Sequence, residues 1–425
     1  MRIRVQGGQP LSGTYIPSGN PNAAKTLLAA AMLSAQPSTL RRIPHNTSTQ
    51  NIIAAAQQLG ATLTWPDAHT LTVEAPSIRK RVLDADTVSG AVGALLFLAP
   101  LLARRRHVRL EVALPLSRIR THLDALRDLG LDVVTVNGGI EISASPWDQQ
   151  DLILNTPSVT ATAITLMLAA SLGKETTIRN AACEPHISDL AAMLNQMGAN
   201  IGGLGSNVLV VHGGNPLNGA DFTASYDHIE IASVAALAAL TSGRVQIAPE
   251  PDGTLPDMRP ILRTYAQFGL TIDADHNAIL VPKHKRLRVT TRGENIDAAV
   301  ETSPYPGFPS DLVTIAAVIA TQAHGTALIH EKLFRDRLLF VDTLKDMGAN
   351  IVLADPHRAI VVGPSPLRGT YIPTPDPRFG LGLLGAALVA HGETVIDNAH
   401  RFDYTFEGVL AKLRALNAII IEADA

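Results

Sequence analysis

The sequence predicts an α/β fold in which one βαβαββ unit is repeated along the whole chain, and two recurring features predict it. The first is a helix that ends in a turn of the Leu/Met-Gly-Ala type and recurs in the 425 residues at intervals of about 70. The second is an Ala-rich helix, apolar on nearly every side, about 40 residues before each turn. Six such units account for almost the entire chain. The turns lie at Gly60, Gly130, Gly198, Gly269, Gly348 and Asn417.

Each turn connects a helix to a strand of the repeated unit. A glycine at the end of a helix permits the left-handed backbone that closes it, and the β-rich stretch that follows predicts a strand. The strands are expected at Thr62–Trp65, Val133–Val136, Val208–Val211, Ala278–Val281 and Ala359–Val362.

The Ala-rich helices have no polar face, so they should be buried. They are predicted to begin near Asn22, Ser89, Ser158, Glu230, Asp311 and Arg378. Three units can stack with these helices inside and their sheets outside. Six units therefore predict a two-domain inside-out α/β barrel.

One pentapeptide occurs twice. Gly13-Thr14-Tyr15-Ile16-Pro17 returns as Gly369-Thr370-Tyr371-Ile372-Pro373, each time just before one of the apolar helices. Duplication is the simplest explanation, and it predicts that the two copies occupy equivalent positions in two units.

Composition excludes several classes of protein. Hydrophobic residues make up 46% of the chain and its net charge is −3, which excludes a disordered chain. Basic and acidic residues nearly cancel, at 35 and 38, so neither nucleic acid nor an anionic membrane is expected as the main partner. A single cysteine, Cys183, excludes a disulfide framework and a multi-thiolate zinc site, and favours the reducing cytoplasm.

Neither a signal peptide nor a transmembrane helix is expected. Met1 leads directly into the alternating pattern of a strand. The longest apolar stretch, Val88–Ala103, is shorter than the roughly 20 residues that cross a bilayer, and we predict a buried helix there.

The repeat also predicts the kind of ligand. Two stacked domains would leave a cleft that receives helix N-termini from both sides. Helix N-termini carry unpaired N–H groups and the positive end of the helix dipole, so this cleft should bind anions. We expect small anionic molecules as partners, with no metal and no cofactor; the oligomeric state is left open.

Seven short motifs make the whole chain resemble the enolpyruvyl transferase superfamily, and within it most closely the UDP-N-acetylglucosamine 1-carboxyvinyltransferases. The motifs are Arg4-Val5-Gln6-Gly7, Ser18-Gly19-x-x-Asn22-Ala23-Ala24, Glu184-Pro185-x-Ile187-x-Asp189, Phe308-Pro309-Ser310-Asp311, Glu331-x-x-Phe334-x-x-Arg337, Asp376-x-Arg378 and Lys412-Leu413-Arg414-Ala415-Leu416.

The resemblance implies a domain layout and a reaction. Residues 21–225 would form one three-unit domain, residues 1–20 would join 226–425 in the other, and the interdomain cleft would be the active site. Members of the superfamily move the enolpyruvyl group of phosphoenolpyruvate to a hydroxyl, here on an acceptor that resembles a nucleotide sugar. Two alternatives stay open: the same fold with a different anionic substrate or reaction in a specialised pathway, or a non-catalytic ligand-binding relative.

Three residues match cleft residues of the superfamily and are the catalytic candidates. Asp311 matches an aspartate proposed to take the proton of the acceptor hydroxyl; the alternative is a simple helix N-cap. Arg337 and Arg378 match arginines that bind phosphate or carboxylate; the alternative is a surface salt bridge of little energetic consequence.

Further residues are candidates for substrate binding, each with a structural alternative. Asn22 could instead cap a helix, Ser158 could do the same, and Phe334 could be a core residue. Lys25 and Arg401 are cations close to motif positions, and His122 matches a histidine of the superfamily. The full set is Asn22, Lys25, Arg118, Arg120, His122, Ser158, Val159, Thr160, Leu333, Phe334 and Arg401.

The chain departs from the superfamily where cations and an acid are expected. The catalytic lysine aligns with Pro21, and three arginines align with Val92, Ser117 and Tyr404. The loop Glu111–Leu116 is short and has no cysteine. One preorganised charged donor contributes roughly 3 kcal/mol, or about a hundredfold in rate, so either nearby cations replace these groups or the substrate differs.

Overall fold

The structure is a computed structural model, which describes residues 1–86, 92–111, 115–251, 253–290 and 298–423. The chain divides into two compact units: Met1–Ser18 together with Tyr226–Ala425, and Gly19–Ser225. Each unit has its own continuous hydrophobic core.

The unit Gly19–Ser225 packs its sheets around three central helical segments. These are Pro21–Ala31, the 3-10 turn Val92–Phe97 with helix Leu98–Arg105, and Val159–Leu172. Helices Thr47–Gln58, Arg120–Asp128 and Pro185–Gln196 complete the three modules. This unit has three four-stranded sheets, whose strands are given in spatial order. The first consists of Asp221–Thr223, Ser38–Arg41, Thr70–Glu74 and Thr62–Asp67, and the second of Val82–Leu83, His107–Leu110, Gly139–Ser143 and Asp132–Val136. The third consists of Trp147–Ile153, Gly173–Arg179, Val208–His212 and Asn200–Gly202.

The other unit repeats this plan. Its central segments are His228–Leu240, Ser310–Leu312 with Val313–Gln322, and Pro377–Phe379 with Gly382–Val389; each contacts the other two. Helices Arg259–Tyr265, Phe340–Asp346 and Val409–Ala415 complete the modules. The sheets are Ser12–Tyr15, Arg244–Ile247, Ile279–Val281 and Asp273–Ala274; Leu287–Arg288, Ala323–His330, Arg358–Gly363 and Asn350–Asp355, with Ala298–Glu301 also paired to Ala323–His330; and Tyr371–Ile372, Glu393–Ile396, Arg2–Gln6 and Ile419–Ala423.

All six sheets share one pairing pattern. In the order given, the first two strands are parallel and the next two pairs are antiparallel; the additional strand Ala298–Glu301 is also parallel to its partner. A parallel pair requires a long crossover, which the central helix supplies in four of the six sheets. In a fifth, Asp221–Thr223 comes from the end of its unit and pairs with Ser38–Arg41. In the sixth, Ser12–Tyr15 pairs with Arg244–Ile247, which the chain reaches only after the whole segment Gly19–Ser225. At the chain start, Arg2–Gln6 lies between Glu393–Ile396 and Ile419–Ala423.

The turn that marks each repeat has the predicted conformation. All six positions have positive φ, from +72° to +110°, so the prediction of a left-handed helix end is confirmed. Asn417 replaces glycine at one of them because asparagine tolerates this region better than other side chains do. The predicted strands after the turns are also present.

Glycine serves a second purpose that the sequence analysis missed. Gly7 and Gly213 directly follow a strand, Gly363 ends one, and all three lie against the last turn of a central helix. A Cβ on these residues would stand 2.7, 2.5 and 2.4 Å from a carbonyl oxygen of that helix, so only glycine allows this close packing.

The repeated pentapeptide does not occupy equivalent positions, which corrects the prediction. Tyr15 pairs with Ile247, whereas the matching place opposite Ile396 is taken by Ile372. The second copy is therefore shifted by one residue, and a shift of one residue turns a side chain to the other face of a sheet. Tyr15 is accordingly 2% exposed and Tyr371 is 55% exposed.

The predicted buried helix in Val88–Ala103 is present where the structure describes it. Residues 92–97 form a 3-10 turn that continues into helix Leu98–Arg105, whose first five residues are buried. Residues 88–91, including the predicted start at Ser89, lie outside the described residues. Within the described part of the chain, every helix is too short or too polar to cross a bilayer.

The helix-end glycines predict a measurable contrast. Gly198 has φ +110° with no atom closer than 3.8 Å to an added Cβ, whereas Gly202 lacks a positive φ and has open space around it. Gly198→Ala should lower the free energy of unfolding by about 1–2 kcal/mol, because its cost is the left-handed backbone alone. Gly202→Ala should change it by less than about 0.5 kcal/mol. Urea unfolding of both variants checks this, and equal effects would contradict the assignment.

Candidate active site

The starts of the three central helices lie together in the unit that contains Tyr226–Ala425. The turn Ser310–Leu312 contacts both helix His228–Leu240 and the turn Pro377–Phe379. An added Cβ on Gly380 would stand 3.2 Å from the carbonyl oxygen of Asp311. Because helix N-termini present unpaired N–H groups, this end of the unit favours anions.

Asp311 and Arg337 form an ion pair at this end. Arg337 Nη1 lies 3.2 Å from Asp311 Oδ1 and donates to the carbonyl oxygen of Arg378 at 2.6 Å. The guanidinium also lies 5.1 Å from the ring centroid of Phe334. Its side chain is only 14% exposed, whereas that of Asp311 is 55% exposed and open to a ligand.

Several structural alternatives can now be judged. Asp311 is not an N-cap, because Pro309 and Leu312 hold the cap positions here and its carboxylate accepts from Arg337 instead. Arg337 is too buried for a surface salt bridge. Phe334 is 52% exposed, so the core interpretation is wrong for it, and Leu333 is 41% exposed beside it.

Arg378 is oriented by a neighbouring carboxylate. Its Nε and Nη2 donate to Asp376 Oδ2 at 2.9 and 2.6 Å, and Asp376 also caps the turn. The hydrogen bond with Asp376 raises the pKa of Arg378. Arg401 lies with Asp376 and Gly380 along one small crevice of the same unit, while Tyr404, at the end of turn Ala399–Tyr404, is half-buried.

Two buried titratable groups begin the first central helix of this unit. Asp227 caps it by accepting from the N–H of Ile229, and burial raises its pKa to about 8, with help from the nearby carboxylates of Glu230 and Asp311. His228 packs edge-on against Tyr305, and burial lowers its pKa to about 4 although Asp311 opposes the shift. At neutral pH His228 is therefore an uncharged group beside a carboxylate.

Glu331 belongs to one of the sequence motifs, which by itself indicates no role for it. The residue is fully buried. Its carboxylate accepts from the hydroxyls of Thr302 and Ser310 at 2.9 and 2.6 Å. It also accepts from the N–H groups of Leu333 and Phe334 at 2.8 and 3.1 Å. An acidic residue directly after an apolar strand is the only signal for it in the sequence.

A second buried carboxylate was also missed. Glu230 accepts from the hydroxyl of Tyr15 at 2.6 Å and from Lys412 Nζ at 3.0 Å. Lys412 also bonds the hydroxyl of Ser18 at 2.5 Å. This cluster fixes the first turn of helix His228–Leu240 to the segment that follows strand Ser12–Tyr15.

In the unit Gly19–Ser225, the start of helix Pro21–Ala31 brings two candidates together. Asn20 is the N-cap and accepts from the N–H groups of Asn22 and Ala23, so the cap interpretation of Asn22 is wrong. The exposed Asn22 instead accepts from Lys25 Nζ at 3.3 Å. Pro21 is the first helical residue and is buried.

Four more candidate residues lie together at the start of helix Val159–Leu172. Ser158 caps the helix through Ala161, which supports its structural role. Thr160 Oγ1 lies 2.6 Å from Nε2 of the buried His122, whose pKa burial lowers. Val159 and Thr160 are half-buried.

The remaining candidates of this unit lie near the short loop. Ser117 and Arg118 are exposed in the turn Leu116–Arg118. Arg120 begins the next helix, is 81% exposed and pairs with Asp124 at 3.6 Å. Residues 112–114 of the loop lie outside the described residues, as does the side chain of Val92.

The site can bind anions and hold a proton acceptor. Within the described ranges no three His, Cys, Asp or Glu side chains are grouped to hold a metal ion. Exposed guanidinium N–H groups and helix N-termini suit phosphate and carboxylate, and the exposed carboxylate of Asp311 can accept a proton.

Comparison with known proteins places the chain in a family. The sequence profile of EPSP synthase (3-phosphoshikimate 1-carboxyvinyltransferase) matches residues 5–413. The chain belongs to the EPSP synthase family of enolpyruvyl transferases. Among its relatives is a UDP-N-acetylglucosamine 1-carboxyvinyltransferase of Bradyrhizobium diazoefficiens, 38% identical over 98% of this chain and 96% of that protein. One from Treponema denticola is 37% identical over 98% of each chain.

Solved structures of enolpyruvyl transferases share the fold. The enolpyruvyl transferase NikO from Streptomyces tendae matches with a TM-score of 0.86 and 24% identity, over 100% of this chain and 99% of that one. EPSP synthase from Acinetobacter baumannii matches with a TM-score of 0.75 and 15% identity over 100% of both chains. The predicted fold class, an inside-out α/β barrel of this superfamily, is confirmed by these likenesses.

Burial of a neutral His228 predicts how the stability of this enolpyruvyl transferase depends on pH. Its pKa is about 4 in the folded chain, below the ordinary value of 6.5, so the unfolded chain binds more protons between these values. Stability should therefore fall as the pH drops from 6.5 towards 4. Over this pH range, the free energy of unfolding of His228→Gln should fall less than that of the wild type, by on the order of 2 kcal/mol.

Urea unfolding at pH 7, 5.5 and 4.5 measures this difference. The matched control is His391→Gln, which removes an exposed histidine from the same unit. If the wild type, His228→Gln and His391→Gln lose stability in parallel, His228 is not the buried neutral group described here.

Proposed function

We propose that this enzyme transfers the enolpyruvyl group of phosphoenolpyruvate to a hydroxyl of a nucleotide sugar, UDP-N-acetylglucosamine. The observation that carries the proposal is the Asp311–Arg337 pair, with Arg378, at the meeting point of three helix starts. The names of the relatives that are 37–38% identical over nearly their whole length support this acceptor. The reaction belongs to bacterial cell wall synthesis, and we place it in the cytoplasm.

Asp311 acts as the general base in this proposal. Its carboxylate takes the proton of the acceptor hydroxyl while the oxygen bonds to C2 of phosphoenolpyruvate, and C3 receives a proton from water. The C2–O bond to phosphate then breaks, C3 returns a proton to water, and the double bond forms again. Asp311 gives its proton to the departing phosphate and is ready for another cycle. Phosphate and the enolpyruvyl ether are the products.

Arg337 and Arg378 stabilise negative charge during these steps. Each is held by a carboxylate and has further N–H groups to offer, so its position is fixed before an anion arrives. In the other unit, we assign substrate binding to residues at two helix starts. These are Asn22 with Lys25 at one, and Ser158, Val159 and Thr160 beside His122 at the other. Arg118, Arg120, Leu333, Phe334 and Arg401 complete the proposed set.

We also propose that the chain is a diverged member. Pro21 stands where the resemblance implies a lysine, and Lys25, one helical turn later, is the cation that we assign to replace it. If this replacement is insufficient, the substrate differs or the chain binds its ligand without turnover.

A phosphate-release assay distinguishes these cases. With phosphoenolpyruvate, the wild type should release phosphate in the presence of UDP-N-acetylglucosamine and should not do so with shikimate 3-phosphate or without an acceptor. If phosphate is released with shikimate 3-phosphate but not with UDP-N-acetylglucosamine, the acceptor is a shikimate phosphate and not the nucleotide sugar.

The proposal is wrong if the wild type releases no phosphate from phosphoenolpyruvate with any UDP-sugar, nucleotide or shikimate phosphate. Calorimetric titration then separates the alternatives. Binding of phosphoenolpyruvate without turnover indicates a non-catalytic relative, and no heat with phosphoenolpyruvate, with or without an acceptor, indicates a different anionic substrate.

The role of Asp311 predicts the effect of one substitution. Asp311→Asn keeps the size of the side chain and removes the proton acceptor, so kcat should fall at least about 100-fold. The matched control is Asp342→Asn, an exposed carboxylate in the first turn of helix Phe340–Asp346, which should change kcat less than about twofold. An Asp311→Asn variant that keeps more than a tenth of the wild-type kcat would rule out general-base catalysis by this residue.

A further inference from the structure

Glu331 joins the two chain segments that carry Asp311 and Arg337. We propose that Glu331 is a positioning residue, which sets the separation of the Asp311 carboxylate and the Arg337 guanidinium through hydrogen bonds to both segments. The inference rests on the proposed function, because it assigns Glu331 a role in that same site. Glu331 itself is fully buried.

One carboxylate oxygen fixes the segment of Asp311. Glu331 Oε2 accepts from the hydroxyl of Ser310, the residue directly before Asp311, at 2.6 Å. Ser310 is 5% exposed and begins the 3-10 turn at the start of a central helix. This turn has no side-chain cap, so the hydroxyl of Ser310 anchors it to Glu331 in addition to the contact of Asp311 with Arg337.

The other oxygen fixes the segment of Arg337. Glu331 Oε1 accepts from the N–H groups of Leu333 and Phe334, and the ring of Phe334 lies under the Arg337 guanidinium. The same oxygen accepts from Thr302, whose hydroxyl accepts from the N–H of Lys332. Both Thr302 and Glu331 thus bind the backbone at the start of the segment that leads to Arg337.

The geometry of the group explains why one polar side chain can link both segments. Three donors meet Oε1, and the hydroxyl of Ser310 meets Oε2, so a planar group with two polar ends binds all four partners from one position. Burial of a polar group costs free energy, so a purely structural link would be made more cheaply by apolar packing.

Removal of one anchor tests the proposal. Ser310→Ala should lower kcat at least about tenfold and change KM for phosphoenolpyruvate less than about threefold, since a small displacement of a reacting group costs rate before it costs binding. The matched control is Ser365→Ala. Ser365 is equally buried, donates to Val362, and lies against Thr321 near the far end of helix Val313–Gln322.

Ser365→Ala should lower thermal stability by a similar amount and leave kcat within about twofold of the wild type. Equal kcat values for Ser310→Ala, Ser365→Ala and the wild type would overturn the proposal.

Two substitutions of Glu331 itself separate hydrogen bonding from charge. Glu331→Gln keeps an acceptor oxygen for three donors and turns an NH2 group towards the hydroxyl of Ser310, which can accept. Its kcat should stay within about threefold of the wild type. Glu331→Leu removes every bond and should lose at least as much kcat as Ser310→Ala. A Glu331→Gln variant as impaired as Glu331→Leu would overturn the proposal; if Glu331→Leu does not fold, Ser310→Ala decides.

A structural measurement keeps this proposal separate from the proposed function. If the wild type itself releases no phosphate, the proposed function fails. The positioning role is then decided by crystal structures of Ser310→Ala and Ser365→Ala. The distance from Asp311 Oδ1 to Arg337 Nη1, now 3.2 Å, should exceed 4 Å in Ser310→Ala alone. An unchanged distance in Ser310→Ala would overturn the positioning role.

Discussion

The arrangement of the candidate site depends on the burial of helices that have no polar face. Helices His228–Leu240, Val313–Gln322 and Gly382–Val389 are apolar almost all round, so each must be covered on every side. They cover one another, and the sheets of their unit cover the rest. Their starts consequently lie together, and the polar residues there, Asp227 and Asp311 among them, become neighbours although more than 80 residues separate them in sequence.

The charges of the two arginines at this end are each paired with a carboxylate. Asp311 is paired with Arg337 and Asp376 with Arg378, so each cation is held by a carboxylate before any substrate arrives. The guanidinium groups are therefore already oriented, so an anion that binds there requires little reorganisation of them. His228, neutral because it is buried, adds no charge at this end.

The sequence predicts those features that a single residue's conformation or polarity decides. The positive φ of the repeat turns follows from glycine itself, and the burial of the central helices follows from their lack of polar residues. The resemblance also places Asp311 and Arg337 in one site. The role of Glu331 is not predictable in this way, because its partners Ser310 and Thr302 stand 21 and 29 residues before it. The register of Tyr371 likewise depends on strand pairing, which identical pentapeptides do not determine.

The position of strand Arg2–Gln6 has a consequence for synthesis on the ribosome. The strand lies between Glu393–Ile396 and Ile419–Ala423, so during synthesis it must wait until both of these distant partners have been made. At about 5–20 residues per second this delay is roughly 20–80 seconds. The segment Gly19–Ser225 has all of its own strands much earlier and can fold first. Strand Ser12–Tyr15 likewise waits for Arg244–Ile247, so the nascent chain carries unpaired strands throughout this delay, and such segments are the kind that chaperones bind.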